Sequence, residues 1–519
     1  MGVEMAFIPR WLSLTMVLGA TQFNFGTFSV SAAEDSVHPI AWSDFPVKFP
    51  DNSNAQLEKD ALDRATKYFT TTWYDSAKNY EVQTTPYLDI GGVGEQNVRP
   101  PGSVAYAEAV ALSMGIYNEA FTGVPKSVAL KQCKRLLGSV AYHHLANTTG
   151  GWGNVWQSAL WATYAGTAAW LIWDSLSTTD KEYVRQMVVY EANRFNDREP
   201  DYASKLGTLL IDTKAEENSW NVSLVGLALA MMPNHTNAAK WKYRLCQWSI
   251  SAYSRPSDDS TNKTIVNGKA VKDWIAGYNI KDDGLLYNHN IMHPDYISAM
   301  QLQVNNANLL TLAHMPVPRA CLFNFDVMYS VLVTYKFDPA KGFMQPGGTI
   351  YREGVDTLYW PQGTDWGRTR RAGFAVNDCM ASQFGYDSLL SRKGAYWEDL
   401  HIRKVIEMQN RHADGHTYET PEEDTYPGRE EWIAAHGCAS ACFTYWVRAQ
   451  KGFTFTNDSY VNLAVVSVQP GSLAAATIAW PAPQHSGLYD IRGAMQPVSA
   501  RNPSLKIGPY FAPIAHPTK

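Results

Sequence analysis

Apolar residues recur at intervals of three and four along most of the chain, which is the period of an amphipathic helix. The pattern predicts helices over 54–76, 104–122, 126–147, 156–176, 178–197, 220–234 and 238–254, the fifth opening on a Thr/Asp cap signal. Further helices are predicted over 294–315, 318–335, 375–387, 396–412 and 431–450. Strand-like alternation is sparse: it is clearest in SYVNLAVVSVQ (459–469), and a hairpin is suggested near 340–352. The rhythm is helix, short polar turn, helix, at roughly 35–55 residues per pair, a spacing typical of repeated two-helix units. It predicts a mainly α fold, an (α/α)n toroid or barrel of helical hairpins with a small β-containing C-terminal tail. In a closed ring of hairpins, alternate loops converge on one face, where a rigid scaffold can hold binding groups.

The ends of the chain read differently. Arg10 precedes the apolar run WLSLTMVLGA (11–20), and small residues follow in SVSAAED, the layout of a secretory signal with a cleavage site around Val30-Ser31-Ala32. The expected organisation is a signal peptide over 1–33, a helical catalytic domain over 34–450, and a tail over 451–519 packed on it as a cap. The N-x-S/T sequons at Asn147, Asn221, Asn234, Asn262 and Asn457 agree with export. The six cysteines, at 133, 246, 321, 379, 438 and 442, allow one to three disulfides in an oxidising compartment. Composition is globular, 45% hydrophobic and 18% charged. The net charge of −5, without a Lys/Arg stripe, argues against a nucleic-acid partner. No later stretch reaches the ~20 continuous apolar residues of a membrane span. The unusual figure is the aromatic load, 18 Trp and 28 Tyr, which suits either sugar stacking or a large helical core.

Chemistry-bearing residues gather in loops. KDDGLLYNHNIMHPDY (281–296) crowds His289, His293, Tyr287 and Tyr296 around an Asp-Gly turn. Pro294 is well placed to open a helix and disfavours helix at His293. EENSWN (216–221) puts Glu216, Glu217 and Asn218 directly before an apolar helix, where Asn218 or Ser219 could cap it or Asn218 could donate into a cleft. WPQGTDWGRTRR (360–371) carries Arg368, Arg370 and Arg371; one of them facing inward could hold a carboxylate bidentately. GGWGNVW (150–156) adds Trp152 and Trp156. With Trp220, Tyr287, Trp360 and Trp366 these form candidate sugar platforms, and Glu217 and Arg371 are candidate polar contacts to substrate. No G-x-S-x-G or H-E-x-x-H motif is present, and no G-x-G-x-x-G with an acidic partner. Amide, imidazole, phenol and guanidinium together suit β-elimination of a uronic-acid polysaccharide. That reaction takes a proton α to a carboxylate whose charge must be neutralised, and a Tyr or His serves as base and acid. Neither a metal nor a cofactor is expected in this scheme.

At these residues the chain resembles the (α/α) toroid polysaccharide lyases of the hyaluronate, chondroitin AC and xanthan lyase type. Those enzymes carry an Asp-Gly turn, a His six residues after the Asp and a Tyr shortly beyond, as Asp283-Gly284, His289 and Tyr296 do here. The resemblance implies that Asn218, from an earlier helix start, and an Arg further on, Arg368 or Arg371, neutralise the substrate carboxylate. It also implies that His289 or His293 works with Tyr296. The His-to-Tyr spacing departs from that pattern by about two residues, and the family's large C-terminal sheet domains are missing.

The expected function is therefore a secreted polysaccharide lyase acting on an acidic polysaccharide or oligosaccharide, with no nucleic-acid or membrane partner. Two other classes share the helical rhythm. Inverting glycoside hydrolases need two carboxylates roughly 6.5–9.5 Å apart, for which Glu217, Asp283 and Asp365 are candidates. A non-catalytic carbohydrate-binding protein would explain the tryptophans but not the clustering of His, Tyr and Arg.

Overall fold

The computed structural model describes residues 35–426, 429–450 and 452–460. The expected signal peptide, and the tail beyond 460 with most of the 459–469 strand, lie outside these residues. The described chain is mainly helical. Its long helices are α1 (Ser53–Tyr68), α2 (Glu95–Ser113), α3 (Lys126–Tyr142), α4 (Ser158–Leu171), α5 (Thr178–Asn193), α6 (Ala215–Met231), α7 (Ala238–Ala252), α8 (Met300–Leu312), α9 (Phe325–Val333), α10 (Arg371–Phe384), α11 (Gly394–Gln409) and α12 (Glu431–Ala449). The strands are two-residue pieces: β1 (Ile265–Val266) with β2 (Lys269–Ala270), β3 (Tyr287–Asn288) with β4 (Ile291–Met292), and β5 (Val317–Pro318) in parallel with β6 (Phe455–Thr456). No described helix is long and apolar enough to cross a membrane.

Two kinds of helix alternate along the chain. In α4 every residue is buried, and in α6 every residue except Glu217. Such all-round burial marks helices enclosed by others. By contrast α1 buries Ala55, Glu58, Ala61, Leu62 and Ala65 on one face, the stripe of an outer helix. The enclosed helices follow one another in space: α2 packs on α4, α4 on α6, α6 on α8, α8 on α10 and α12, α10 on α12, and α12 on α2. The others lie against them, α3 on α2, α5 on α4, α7 on α6, α11 on α10 and α1 on α12.

Several sequence expectations shift at their edges. The 104–122 helix starts earlier, at Glu95, and carries Pro100 and Pro101 within it. It stops at Ser113 because Gly115 turns the chain at φ 70°, leaving Glu119–Thr122 as a separate turn. The 294–315 helix is a short turn, Pro294–Ser298, followed by α8. The 318–335 helix breaks at Asn324, φ 62°, into a 3-10 turn and α9. Near 340–352 there is no hairpin but a 3-10 turn at Pro339–Lys341 and a single bridge between Phe337 and Gly348. The disulfide expectation is corrected: all six cysteines are free and buried. Two sequons are corrected as well. Asn221 lies inside α6 at 3% exposure. Asn147 spends its amide on the carbonyls of Ala141 and Tyr183.

Close approach of α6 to α8 needs Gly226. A Cβ there would overlap the Asn306 carboxamide, which donates to the Val222 carbonyl at 3.2 Å. Gly226→Ala should therefore lower unfolding free energy by about 1–3 kcal/mol through overpacking, despite the better helix propensity of Ala. A urea titration reads this as a lower midpoint at unchanged slope.

Candidate active site

Residues 281–296 fold as a tight hairpin running into a helical turn. Gly284 (φ 84°) closes the Asp-Gly turn against the Lys281 carbonyl. β3 and β4 pair Tyr287 with Met292 and Asn288 with Ile291. That leaves His289 and Asn290 as the two central residues, both at positive φ, 51° and 65°, as a two-residue hairpin with native twist requires. Asn and His tolerate this region better than most side chains. The hairpin tip thus projects an imidazole. The chain returns through buried His293, extended at φ −119°, into Pro294–Ser298. This fold-back brings the Tyr296 hydroxyl to 3.1 Å from His289 Nε2. The two histidines meet across the hairpin rather than along a helix face.

Asp365 joins them from the loop before α10. Its Oδ2 lies 2.6 Å from His289 Nδ1 and its Oδ1 2.9 Å from His293 Nε2. The imidazoles hold its carboxyl well below the usual carboxylate range, against the opposing effect of burial. The loop is fixed on both sides. Gln362 Oε1 accepts from the Met292 amide at 2.7 Å, and Thr425 Oγ1 donates to the Asp365 carbonyl at 2.7 Å. Trp366 stands 5.0 Å from the His289 ring and stacks on Tyr426 at 4.8 Å. Burial pushes the Tyr296 phenol well above its ordinary value.

The start of α6 braces the hairpin from below. Asn288 donates to Glu216 Oε1 at 2.8 Å while its own Oδ1 accepts the His289 amide at 2.7 Å. The Thr213 amide donates to the Tyr287 carbonyl at 2.9 Å. Burial pushes Glu216 well up and Glu217 to about 7, even though Lys214 contacts Glu217 at 3.0 Å.

The structure brings together His289, His293 and Tyr296 with Trp366. Several other expected residues point elsewhere. Asn218 is neither a helix cap nor open to a cleft. It is fully buried within the first turns of α6, with its amide on the Asp201 carbonyl at 2.9 Å. Trp152 is corrected to a core residue, 1% exposed, its indole donating to the Val140 carbonyl. Arg371 is corrected likewise: it is buried and donates to the carbonyls of Asp356 and Arg368 at 2.8 and 2.7 Å, and desolvation lowers it to about 10. Arg368 is exposed, its amide bound to the Glu422 carbonyl, while Arg370 pairs with Glu430 at 2.6 Å. Trp220 is buried edge-on to half-exposed Trp156 at 5.0 Å. Trp360 is partly buried near Phe374, and Tyr287 is partly buried in β3. Asp283 is exposed beside Tyr335.

Sequence reasoning missed Asn288, Gln362 and Tyr426, and it placed Asp365 only among possible hydrolytic acids. Asn288-His289-Asn290 carried a usable signal, because Asn and His favour positive φ. The partners of Asp365 are set by the tertiary fold and left no local trace. No family model matches the chain, and no curated protein sequence matches it.

Asn218→Ala should cost about 1 kcal/mol of stability through the lost hydrogen bond. The loss would appear as a lower thermal midpoint, with the His289–Asp365–His293 geometry intact by histidine NMR.

Proposed function

We propose that the protein is a polysaccharide lyase that cleaves a uronic-acid-containing chain by β-elimination on a toroid of helical hairpins. The hairpin reading is supported by the order of packing, in which each enclosed helix meets the next and α12 meets α2. The catalytic reading is carried by one observation, the hydrogen-bonded series from Tyr296 through His289 to Asp365. His289 Nε2 faces the phenol and Nδ1 faces the carboxylate, so the ring can take the Tyr296 proton while Asp365 stabilises the resulting imidazolium. Tyr296 oxygen then removes the C5 proton of the uronate. The C4–C5 double bond forms as the C4–O4 bond breaks, and the same hydroxyl returns the proton to O4. Trp366 and Tyr426, stacked beside His289, suit a sugar face. Half-exposed Trp156 offers a second aromatic face.

Secretion belongs to the same proposal. It is supported by the exposed sequon at Asn234. One observation favours a hydrolase instead: Glu217, held up to about 7, has the protonation that a general acid needs near neutral pH.

A panel of uronic-acid polysaccharides should give rising ultraviolet absorbance from the unsaturated uronide. Tyr296→Phe should lose about 10²–10⁴-fold of that rate with unfolding midpoint unchanged. New reducing ends without the absorbance would replace elimination by hydrolysis and move attention to Glu217.

A further inference from the structure

The elimination chemistry sets one requirement that Asn218 and Arg371 do not meet, which leaves only exposed Arg368 among the side chains expected to fill it. The uronate carboxylate must be neutralised for the adjacent proton to become acidic. Asn218 spends its amide on Asp201, and Arg371 spends its donors on two carbonyls. What stands beside Tyr296 is a set of ligand atoms. One nitrogen of His289, one of His293 and a carboxylate oxygen of Asp365 all lie within 4.8 Å of one another.

We infer that His289, His293 and Asp365 form a binding site for a divalent transition-metal ion, with an open position for the carboxylate of the substrate. The ligand set is two imidazoles and one carboxylate, which suits zinc and its neighbours. Calcium would demand six to eight oxygens. Exposure is graded across the set: the His293 side chain is fully buried, His289 is 27% exposed and Asp365 51%. Three protein ligands with one side open to solvent is the layout of a catalytic rather than a structural metal site.

The outer contacts supply independent support. Metal-binding histidines almost always give their second ring N–H to a carboxylate, carbonyl or water. His293 Nδ1 and Asp295 Oδ2 are buried, each without a hydrogen-bond partner, and they face each other at 3.7 Å. If the single proton of a neutral His293 sits on Nε2 to serve Asp365, a bare ring nitrogen is left facing a bare carboxylate oxygen. A metal ion on Nε2 moves that proton to Nδ1, and one slight closure satisfies both orphan atoms. His289 has its second nitrogen on Tyr296 already; with the ion on Nδ1 that nitrogen carries the ring proton and donates to the Tyr296 oxygen, so in the metal-bound site the phenolate is held by this hydrogen bond and its proton leaves to solvent rather than to the ring. Polar atoms buried without partners are costly enough to need such an explanation.

The inference rests on taking this cluster as the reaction centre, and it departs from the expectation of a metal-free scheme. Its test is read without substrate, so the two proposals can fail separately. Zinc is titrated by calorimetry into the chelator-treated full chain, and cobalt is then substituted for its visible absorption. One equivalent of zinc should bind at micromolar affinity or tighter, with a cobalt spectrum of low coordination number. Asp365→Asn, at the exposed edge of the site, should abolish stoichiometric binding while keeping the far-ultraviolet circular dichroism spectrum of the folded wild type. Asp295→Ala should weaken binding by about 10–100-fold, the usual effect of losing an outer partner. Absence of stoichiometric binding to the wild type, or binding unchanged in Asp365→Asn, would overturn the proposal. Zinc binding without unsaturated products would keep the metal site and remove the lyase reading.

Discussion

The site depends on one carboxylate shared between two imidazoles. Asp365 touches His289 with one oxygen and His293 with the other. Neither histidine could hold its place alone: His289 sits at the tip of a two-residue hairpin in left-handed backbone, and His293 is the extended residue before a proline. The carboxylate draws the tip back over the helical turn that carries Tyr296 and fixes which ring nitrogen faces the phenol. Removing it would leave the buried His293 imidazole without its Nε2 partner and the hairpin tip without its Nδ1 anchor. Asp365 in turn is held by backbone contacts to Thr425 and by the Gln362 bridge to Met292. The order of dependence therefore runs from loop anchoring to carboxylate, from carboxylate to imidazoles, and from imidazole to phenol.

The enclosed helices make that loop geometry possible. A helix buried on all sides cannot tilt without disturbing several neighbours, because protein interiors are packed as densely as organic crystals. The start of α6 is consequently a rigid platform. Thr213 takes over the capping role there, its hydroxyl accepting from the Ala215 amide at 3.2 Å while its own amide binds the hairpin at Tyr287. The same residue ends one element and docks the next, so the hairpin is positioned by the helix that the core immobilises.

The outer helices were legible in the sequence by their 3.6-residue period, and the enclosed ones as apolar runs of helical length bounded by polar turns. Their ends were less legible. Glu216-Glu217-Asn218 reads equally well as a cap or as a first turn, and the choice was settled by Thr213, two residues before α6, through a contact to a strand far along the chain. The hairpin was hidden for a related reason. Its turn uses His289-Asn290 where Asn-Gly or Asp-Gly would announce it, and the nearby Asp283-Gly284 supplied a stronger but different turn signal. In the site, the cluster of His289, His293 and Tyr296 could be found by composition within one short segment. Asp365 could not, since nothing in TDWGRTRR distinguishes an acid aimed at two histidines from an acid in solvent. The aromatic residues divided the same way: Trp366 stacks at the site whereas Trp152 fills the core, and only burial separates them.

Charge is the last constraint that any anionic ligand must meet. Several carboxyls crowd the hairpin, and if all were ionised they would repel a uronate. Burial removes much of that repulsion. Glu216, enclosed and bonded to Asn288, is pushed well above the ordinary carboxyl range, and Glu217 beside it is held near neutrality. Lys214 offsets what charge remains on that side. Asp365 alone among these is held firmly ionised, and it faces the two imidazoles rather than empty space. The low dielectric that makes a buried charge costly thus sorts the acids: burial outweighs the lysine beside Glu216 and Glu217, whereas the two imidazoles outweigh burial at Asp365. A site sorted in this way presents an approaching anion with an aromatic wall, a phenol and a single compensated carboxylate.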